Sequence, residues 1–413
     1  MHRPPRIALV SLLLLCAGMV QPAPPDAEPI FIDGSTAFGA NHAISGDGNH
    51  VVFESASDLI GENSDGNGEL FRWSDGGGVL QLTDTYDSTY YFEIDVNSDG
   101  TVVMVAADAD ITDSGATQTE IYRWTQGAGW TRLTFTSGPT SIVFIGGMGI
   151  SSDGTRLMFT SRGDYTGNNP TGEEQVFLWD HTSGFTQITY GDPCGTGGGN
   201  FGIDLSGTGD RILFSSRCQY GDWNPDLNAD LFLWDEATGI RPLTNEASIA
   251  VGASGTVNHD GTVAALSSSN DLVNGGYGSA AHLFRWVDGC GFEQLTTIGI
   301  DNRRCQVNAT GDRIAFSASN GQGTGGNPEE APELFLWEEG YPIVELTDSE
   351  QNDTSWGNER PDLDDRGTRL SMTALRAFDA PHDMRTGYFV LNLWLFYDDL
   401  ETGSFEHWTA AVP

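Results

Sequence analysis

One motif recurs along this chain at near-constant spacing, and a chain with such a repeat must build its core from stacked copies of a single unit. Three landmarks travel together. A Gly-bearing turn precedes an alternating run: Asp47-Gly48, Asp99-Gly100, Asp153-Gly154, Thr208-Gly209, Asp260-Gly261, Thr310-Gly311 and Arg366-Gly367. An apolar run then ends on Trp73, Trp124, Trp179, Trp234, Trp286 and Trp337, at spacings of 51, 55, 55, 52 and 51. A short run closes on Leu82-Thr83, Leu133-Thr134, Ile188-Thr189, Leu243-Thr244, Leu295-Thr296 and Leu346-Thr347. A seventh, worn copy reads Arg366-Gly367, then Leu395-Phe396-Tyr397, then Trp408-Thr409.

Each landmark has a physical job. Asp-Gly between extended runs is a hairpin signal, because the tight turn needs a positive φ that Gly adopts without a steric penalty. The run after it, such as Arg156 to Phe159, is mostly apolar, as expected of a strand covered on both faces. The run Leu231-Phe232-Leu233-Trp234-Asp235 likewise puts large residues on both faces. One unit of about 50 residues supplies an inner strand, two middle strands and an outer strand, and cannot bury its faces alone. A ring of such units leaves few exposed edges. The expected fold is all-β, a seven-bladed β-propeller of four-stranded antiparallel blades rather than a ring of six or eight. The blades fall near 41–84, 93–135, 147–190, 202–245, 256–297, 305–348 and 361–410 of one domain over 28–413. Ile30 to Ile32 is the segment expected to close the ring against the worn seventh copy.

The blocks SSDGTRLMF, LFLWD and Thr-Gly-x-x-x-x-Leu-Thr resemble the TolB-type propeller repeat, a Trp-Asp-repeat-like blade of bacterial periplasmic and secreted proteins. The resemblance spans nearly the whole chain after its leader. It implies a fold more than a function, since the family includes scaffolds, peptidase-associated propellers and some lyases. Two departures separate the chain from a standard TolB protein: seven copies stand where that protein has six blades, and no separate N-terminal domain is evident. A role in the Tol envelope system is not expected.

The first residues, Met1 to Arg6, carry positive charge, and an apolar stretch runs from Ile7 to Val20. That order is a secretory signal peptide, assigned to 1–27, and the stretch is too short to span a bilayer. The protein is therefore expected outside the cytoplasm, periplasmic or extracellular, with no integral membrane segment once the leader is removed. The chain carries 58 acidic side chains against 19 basic ones, every one an arginine, for a net charge of −39. Nucleic acid and anionic membranes are poor partners for such a surface. Beyond the leader stand Cys194, Cys218, Cys290 and Cys305, enough for two bridges in an oxidising compartment. Cys194 and Cys218 fall at the same end of one blade and should pair. Cys290 and Cys305 pair only by elimination.

Long connections between the second and third strands are where a propeller places ligand contacts. An Asp recurs near their start, at Asp58, Asp110, Asp164 and Asp271, and a carboxylate recurs four residues before the aromatic, at Glu69, Glu120, Asp230 and Glu333. In blades one and four acids alternate with amides: Asn63, Asp65, Asn67, Glu69 and Asp222, Asn224, Asp226, Asn228, Asp230. Such oxygens can ligate calcium, so both loops are candidate metal sites, against the plainer reading that Asp and Asn form turns. No catalytic residues are assigned, for the chain lacks Gly-x-Ser-x-Gly and His-Glu-x-x-His, and its histidines are dispersed. The expected function is an exported, non-enzymatic scaffold that binds a protein or glycan ligand through its loop face, with or without calcium. The competing expectation, implied by the resemblance, is a polysaccharide lyase or hydrolase with its site over the central channel.

Overall fold

The computed structural model describes residues 30–33, 41–86, 90–108, 110–135, 147–190, 193–194, 199–244, 253–273, 277–297, 299–300, 305–319, 332–347, 358–374 and 387–393. The expected leader, residues 1–27, lies outside them. Seven four-stranded antiparallel sheets make up the molecule, and no helix occurs among the described residues. Blade four is representative. Its strands Asn200–Leu205, Arg211–Ser216, Asp230–Asp235 and Gly239–Pro242 pair in sequence order from the inside out. In register, Ile212 faces Trp234 and Phe214 faces Phe232. Each blade's middle strands are buried on both faces, which explains their apolar, non-alternating sequence.

Blade seven departs from the expected layout. Its third strand is Gly387–Asn392, paired with Arg369–Ala374, and not the run around Leu395-Phe396-Tyr397. Loop length accounts for the difference. Blades one, three and four leave 13 residues between their second and third strands, as at Ser55 to Glu69, and blade seven leaves 12. Tyr388 and Phe389 are the buried aromatics of this strand. Its outer partner is Ile30–Asp33, with Ile30 opposite Val390 and Phe31 opposite Phe389. The chain's first strand thus completes its last blade and closes the ring. Residues 394–413, including the expected outer strand at Trp408-Thr409, lie outside the described residues.

The core consists of layers between neighbouring blades rather than one central mass. Phe214 and Phe232 of blade four pack with Met158, Val176 and Leu178 of blade three. Stacked cross-strand pairs recur at one level: Phe53 with Phe71, Phe159 with Phe177, Phe214 with Phe232, and Phe316 with Phe335. Burying one such ring contributes roughly 1.5–3 kcal/mol, so each layer is held by several large side chains from both blades.

The turns between inner and second strands lock the blades to one another at the end of the ring opposite the long loops. Each turn donates a backbone hydrogen bond to the next or accepts one from it. Asp47 N bonds Ser98 O (2.7 Å), Ser98 N bonds Ser152 O (3.0 Å) and Ser152 N bonds Gly207 O (2.8 Å). Thr208 N bonds His259 O (2.8 Å), His259 N bonds Ala309 O (3.3 Å) and Ala309 N bonds Asp365 O (2.9 Å). Asp365 N bonds Gly46 O (2.9 Å), which completes a seven-membered circle.

An arginine reinforces every junction of that circle. In blades three, four, six and seven the second strand opens on Arg156, Arg211, Arg313 and Arg369. Their Nη1 atoms donate to the carbonyls of Gly209 (3.1 Å), Gly261 (3.4 Å), Gly367 (2.6 Å) and Gly48 (3.0 Å) in the following blade. Blades one, two and five hold His50, Val102 and Val263 there, and a third-strand arginine makes the bond instead. Arg72 reaches Gly100 (2.7 Å), Arg123 reaches Gly154 (3.3 Å) and Arg285 reaches Gly311 (3.1 Å). These three also lie over Trp124, Trp179 and Trp337 of the next blade, 5.1, 6.0 and 5.3 Å from the ring centroids. Where the second strand supplies the arginine, the equivalent third-strand site is Leu178, Leu233, Leu336 or Val390. The two positions exchange one cation between them.

The turn glycine is required twice over. Gly154 has φ +70°, and a Cβ there would stand 2.8 Å from Cβ of Val102 in the preceding blade. Gly61, in a loop, has φ +87° with nothing within 4 Å. Gly61→Ala should therefore cost about 1 kcal/mol from the backbone alone. Gly154→Ala must also displace a neighbouring blade and should cost roughly 3 kcal/mol. Denaturant midpoints of the two variants, measured side by side, check this; equal losses would mean that the turn is not a close-packed joint.

Candidate functional site

The third-strand carboxylates are structural. Glu69 accepts hydrogen bonds from Oγ1 of Thr83 and from the backbone N–H of Thr85 (2.6 Å). Thr134 donates to Glu120, Thr189 to Gln175 (2.6 Å), Thr244 to Asp230 (2.7 Å) and Thr347 to Glu333. Each threonine oxygen in turn accepts the backbone N–H that follows the acidic or amide residue, as at Leu70 (2.8 Å) and Leu231 (2.9 Å). The recurrent acid and the recurrent Leu-Thr are thus two ends of one buried clasp between third and outer strands.

That clasp accounts for two members of the expected calcium ladders, Glu69 and Asp230. Glu69 and Asp230 are each 1% exposed and turned into their blades, away from the loops. Asn63 and Asn224 are buried, and their amides donate inward, Asn63 to the carbonyl of Asn67 (3.0 Å) and Asn224 to that of Asn228 (2.8 Å). Asp65, Asp222 and Asp226 are exposed, and Asp226 accepts from the amide of Asn228 (3.1 Å). Asn67 donates across to the Thr85 carbonyl. The alternation therefore divides between loop staples, blade clasps and solvent. Blade three repeats the staple with Asn169, which bonds the carbonyl of Glu173 (2.8 Å). The Asp at the loop start serves the same end: Asp58 accepts from Asn63 N and Asp164 from Asn169 N, both at 3.0 Å.

Blade four carries a cleft on this face, at the same loop. Cys194 and Cys218 are disulfide-bonded, and Gln219 N donates to Pro193 O (2.9 Å), fixing the inter-blade connection to the loop. Tyr220 and Trp223 exchange backbone hydrogen bonds across a turn at Gly221, whose φ is +63°. Tyr220 is buried, with its hydroxyl on Oδ1 of Asn200. Its ring stands 6.3 Å edge-on to Tyr190. Tyr190, Tyr220, Gly221, Asp222, Trp223 and Ile240 line a cleft of about 350 Å³. Tyr190 is 72% and Trp223 43% exposed, so two large aromatic rings meet solvent on a braced frame. Sequence reading passed over this site, although Trp223 is out of step with the landmark tryptophans.

The surrounding face shares this character. Among the described residues, the exposed large apolar side chains Ile60, Tyr86, Tyr90, Phe135, Tyr190, Trp223 and Val273 all belong to loop-face connections. Only Leu80, on an outer strand, and Tyr341, at the opposite end, lie elsewhere. The second expected disulfide is absent. Cys290 is free and exposed in the turn after the third strand of blade five, and Cys305 is free and buried at the start of an inner strand. They sit at opposite ends of the ring, and burial pushes the Cys305 thiol up to about 12.

The channel is lined by acids that the repeat does not reveal. Asp95, Asp204 and Asp362 occupy one level on the inner strands of blades two, four and seven. Their Oδ2 atoms accept the backbone N–H of Ile150, Val257 and Ile44 in the next blade, each at 2.8 Å. The second oxygens accept from Val96 N (2.8 Å), Leu205 N (2.8 Å) and Gln306 Nε2 (2.6 Å). In blade five Thr256 Oγ1 takes the same part, accepting Val307 N at 3.0 Å. Both oxygens being committed, these groups act as struts between inner strands rather than as free acids.

Enclosure nevertheless raises their proton affinity. Burial, and after it the charges of Asp362 and Asp204, lift Asp95 well above the usual range. Burial carries Asp204 to about 7 and Asp362 to about 6. Glu54, buried near Asp108, also rises to about 7. A carboxyl whose folded pKa exceeds its unfolded one stabilises the fold below the unfolded value, and that stability is lost as pH rises through the folded value. The turn acids Asp99, Asp153 and Asp260 are lowered and work in the opposite sense, at lower pH. The melting temperature should therefore fall between pH 5 and pH 8. Asp204→Thr, which borrows the blade-five strut, should narrow the fall; a pH-independent melting temperature over that range would contradict it.

The sequence matches no family model and no curated protein, whereas many solved structures share the fold. Oligogalacturonate lyase from Vibrio parahaemolyticus superposes with a TM-score of 0.55 at 12% identity, over 89% of this chain and 91% of that one. The β-propeller domain of the Trilobed protease from Pyrococcus furiosus gives 0.51 at 12%, over 78% and 86%. TolB from Acinetobacter baumannii gives 0.42 at 14%, over 71% of this chain and 62% of TolB, so the match spans less than two thirds of that protein. Identities this low carry architecture and not activity. The chain is a seven-bladed β-propeller, similar in fold to scaffolds and enzymes alike.

Proposed function

We propose that the protein is an exported, non-enzymatic propeller that binds a glycan through its loop face, with the blade-four cleft as its principal site. One observation carries the reading: two exposed aromatic rings, Tyr190 and Trp223, flank a concave site whose frame is fixed by a disulfide and by buried hydrogen bonds. The C–H face of a sugar ring packs on an aromatic face, and a polar neighbour such as Asp222 can accept its hydroxyls. A frame ordered before binding spares the entropy of arranging it.

A lyase or hydrolase is the competing reading. Against it, the channel acids already use both oxygens as struts, and the solved lyases share only the fold with this chain.

A panel of neutral and anionic polysaccharides, tested by affinity electrophoresis and by product detection, separates the two. Wild-type protein should be retarded by at least one polysaccharide without releasing product. Trp223→Ala should weaken binding by roughly ten- to a hundredfold, as removal of a buried aromatic anchor does, with an unchanged melting temperature. Cleavage of any polymer would remove the binding-only reading, and retention by none would remove the glycan.

A further inference from the structure

We infer that the ligand is a neutral polysaccharide chain bound along an arc of the loop face, not a single sugar held in the blade-four cleft. This rests on the reading of that cleft as a glycan site. The arc consists of aromatic stations on consecutive connections of the ring. Tyr86 and Tyr90 lie between blades one and two, Phe135 between two and three, and Tyr190 between three and four, with Trp223 on the blade-four loop. Their exposures are 91, 50, 67, 72 and 43%.

The placement is regular because the blades are. Phe135 and Tyr190 each follow directly the threonine that clasps an outer strand, Thr134 and Thr189, so the same backbone position presents an aromatic in adjacent blades. Most of the rings are backed by a neighbour that orients them. Tyr90 stacks on Phe92 at 6.3 Å, Arg132 lies 4.7 Å from the centroid of Phe135, and Tyr190 meets Tyr220. Flat apolar stations on successive connections, two of them at equivalent positions one blade apart, suit a ligand that repeats flat apolar faces along its length. A protein partner would call for one contiguous apolar core to its interface, whereas exposed acids stand beside these stations, Asp84 two residues before Tyr86 and Asp108 accepting the backbone N–H of Tyr90 at 2.8 Å. Charge selects among polymers. With a net charge of −39 and acids beside the stations, the face repels uronate or sulfated chains and accepts hydroxyls.

Occupying several stations at once makes each added contact intramolecular, so affinity should climb with chain length. The test is a ladder of cello-, xylo- and manno-oligosaccharides from disaccharide to octasaccharide, titrated calorimetrically. The proteins are wild type, Trp223→Ala and the double variant Phe135→Ala/Tyr86→Ala, each checked for folding by melting temperature. Wild-type affinity should keep rising past the trisaccharide, by roughly a hundredfold over the ladder. The double variant should lose that rise while keeping its affinity for short chains, and Trp223→Ala should weaken every length. Affinity that is flat beyond the trisaccharide, or a rise that survives the double variant, overturns the arc and leaves the cleft site standing. Tighter binding of polygalacturonate than of any neutral chain also overturns it. No binding at any length overturns the arc and the cleft together.

Discussion

The structure depends on the closed circle of hydrogen-bonded turns at one end of the ring. Blades packed by apolar layers alone could slide, because such contacts are non-directional. Directional backbone bonds from Asp47 round to Asp365 and back to Gly46 fix how many blades fit and at what angle. Each junction adds an arginine whose guanidinium reaches a glycine carbonyl in the neighbouring blade. Seven of the chain's 19 arginines are spent in this way. A charged donor to a buried carbonyl is among the stronger hydrogen bonds available, and a planar fork holds its direction better than an ammonium would. That gives a physical reason for arginine at these seven places in a chain without lysine.

With the end that carries the turns fixed, the opposite loop face is free to vary, and the candidate site lies there. The loops are not loose. Asn63, Asn169 and Asn224 staple three of them by the same amide-to-carbonyl bond, and a disulfide adds a covalent brace to the fourth blade. Rigidity at a loop tip is what lets Trp223 stay partly in water without collapsing onto the blade.

The architecture was legible in the sequence wherever a residue does the same job in every blade. Asp-Gly turns, landmark tryptophans and Leu-Thr closures marked six blades, because each reports a local conformation or a contact repeated by symmetry. Two further regularities were equally readable and passed unread. The acidic or amide residue and its threonine are separated by fourteen residues in five blades, and the arginine exchanges between the second and third strands. Taken alone, the acids looked like cation ligands; paired with their threonines they read as clasps. Blade seven misled because its aromatics at 388 and 389 lack the Trp-Asp ending, while Tyr397 imitates it. The channel acids and the aromatic cleft were not legible, since the position held by Asp95, Asp204 and Asp362 is Ala43, Gly149, Thr256 and Gln306 in the other four blades, and a cleft that occurs once leaves no periodic trace.

The closing strand bears on how the molecule is made. Ile30 pairs with Val390, so the last contact of the ring joins residues 360 positions apart. The chain-entropy cost of that closure is offset only when the six intervening blades have stacked and brought the two ends together. Until then the third strand of blade seven is an open edge, able to pair with any extended chain that it meets. Ring closure is thus also the step that removes a sticky edge. A chain whose closing strand lies 360 residues before its partner must keep that edge unpaired or shielded for most of its folding time.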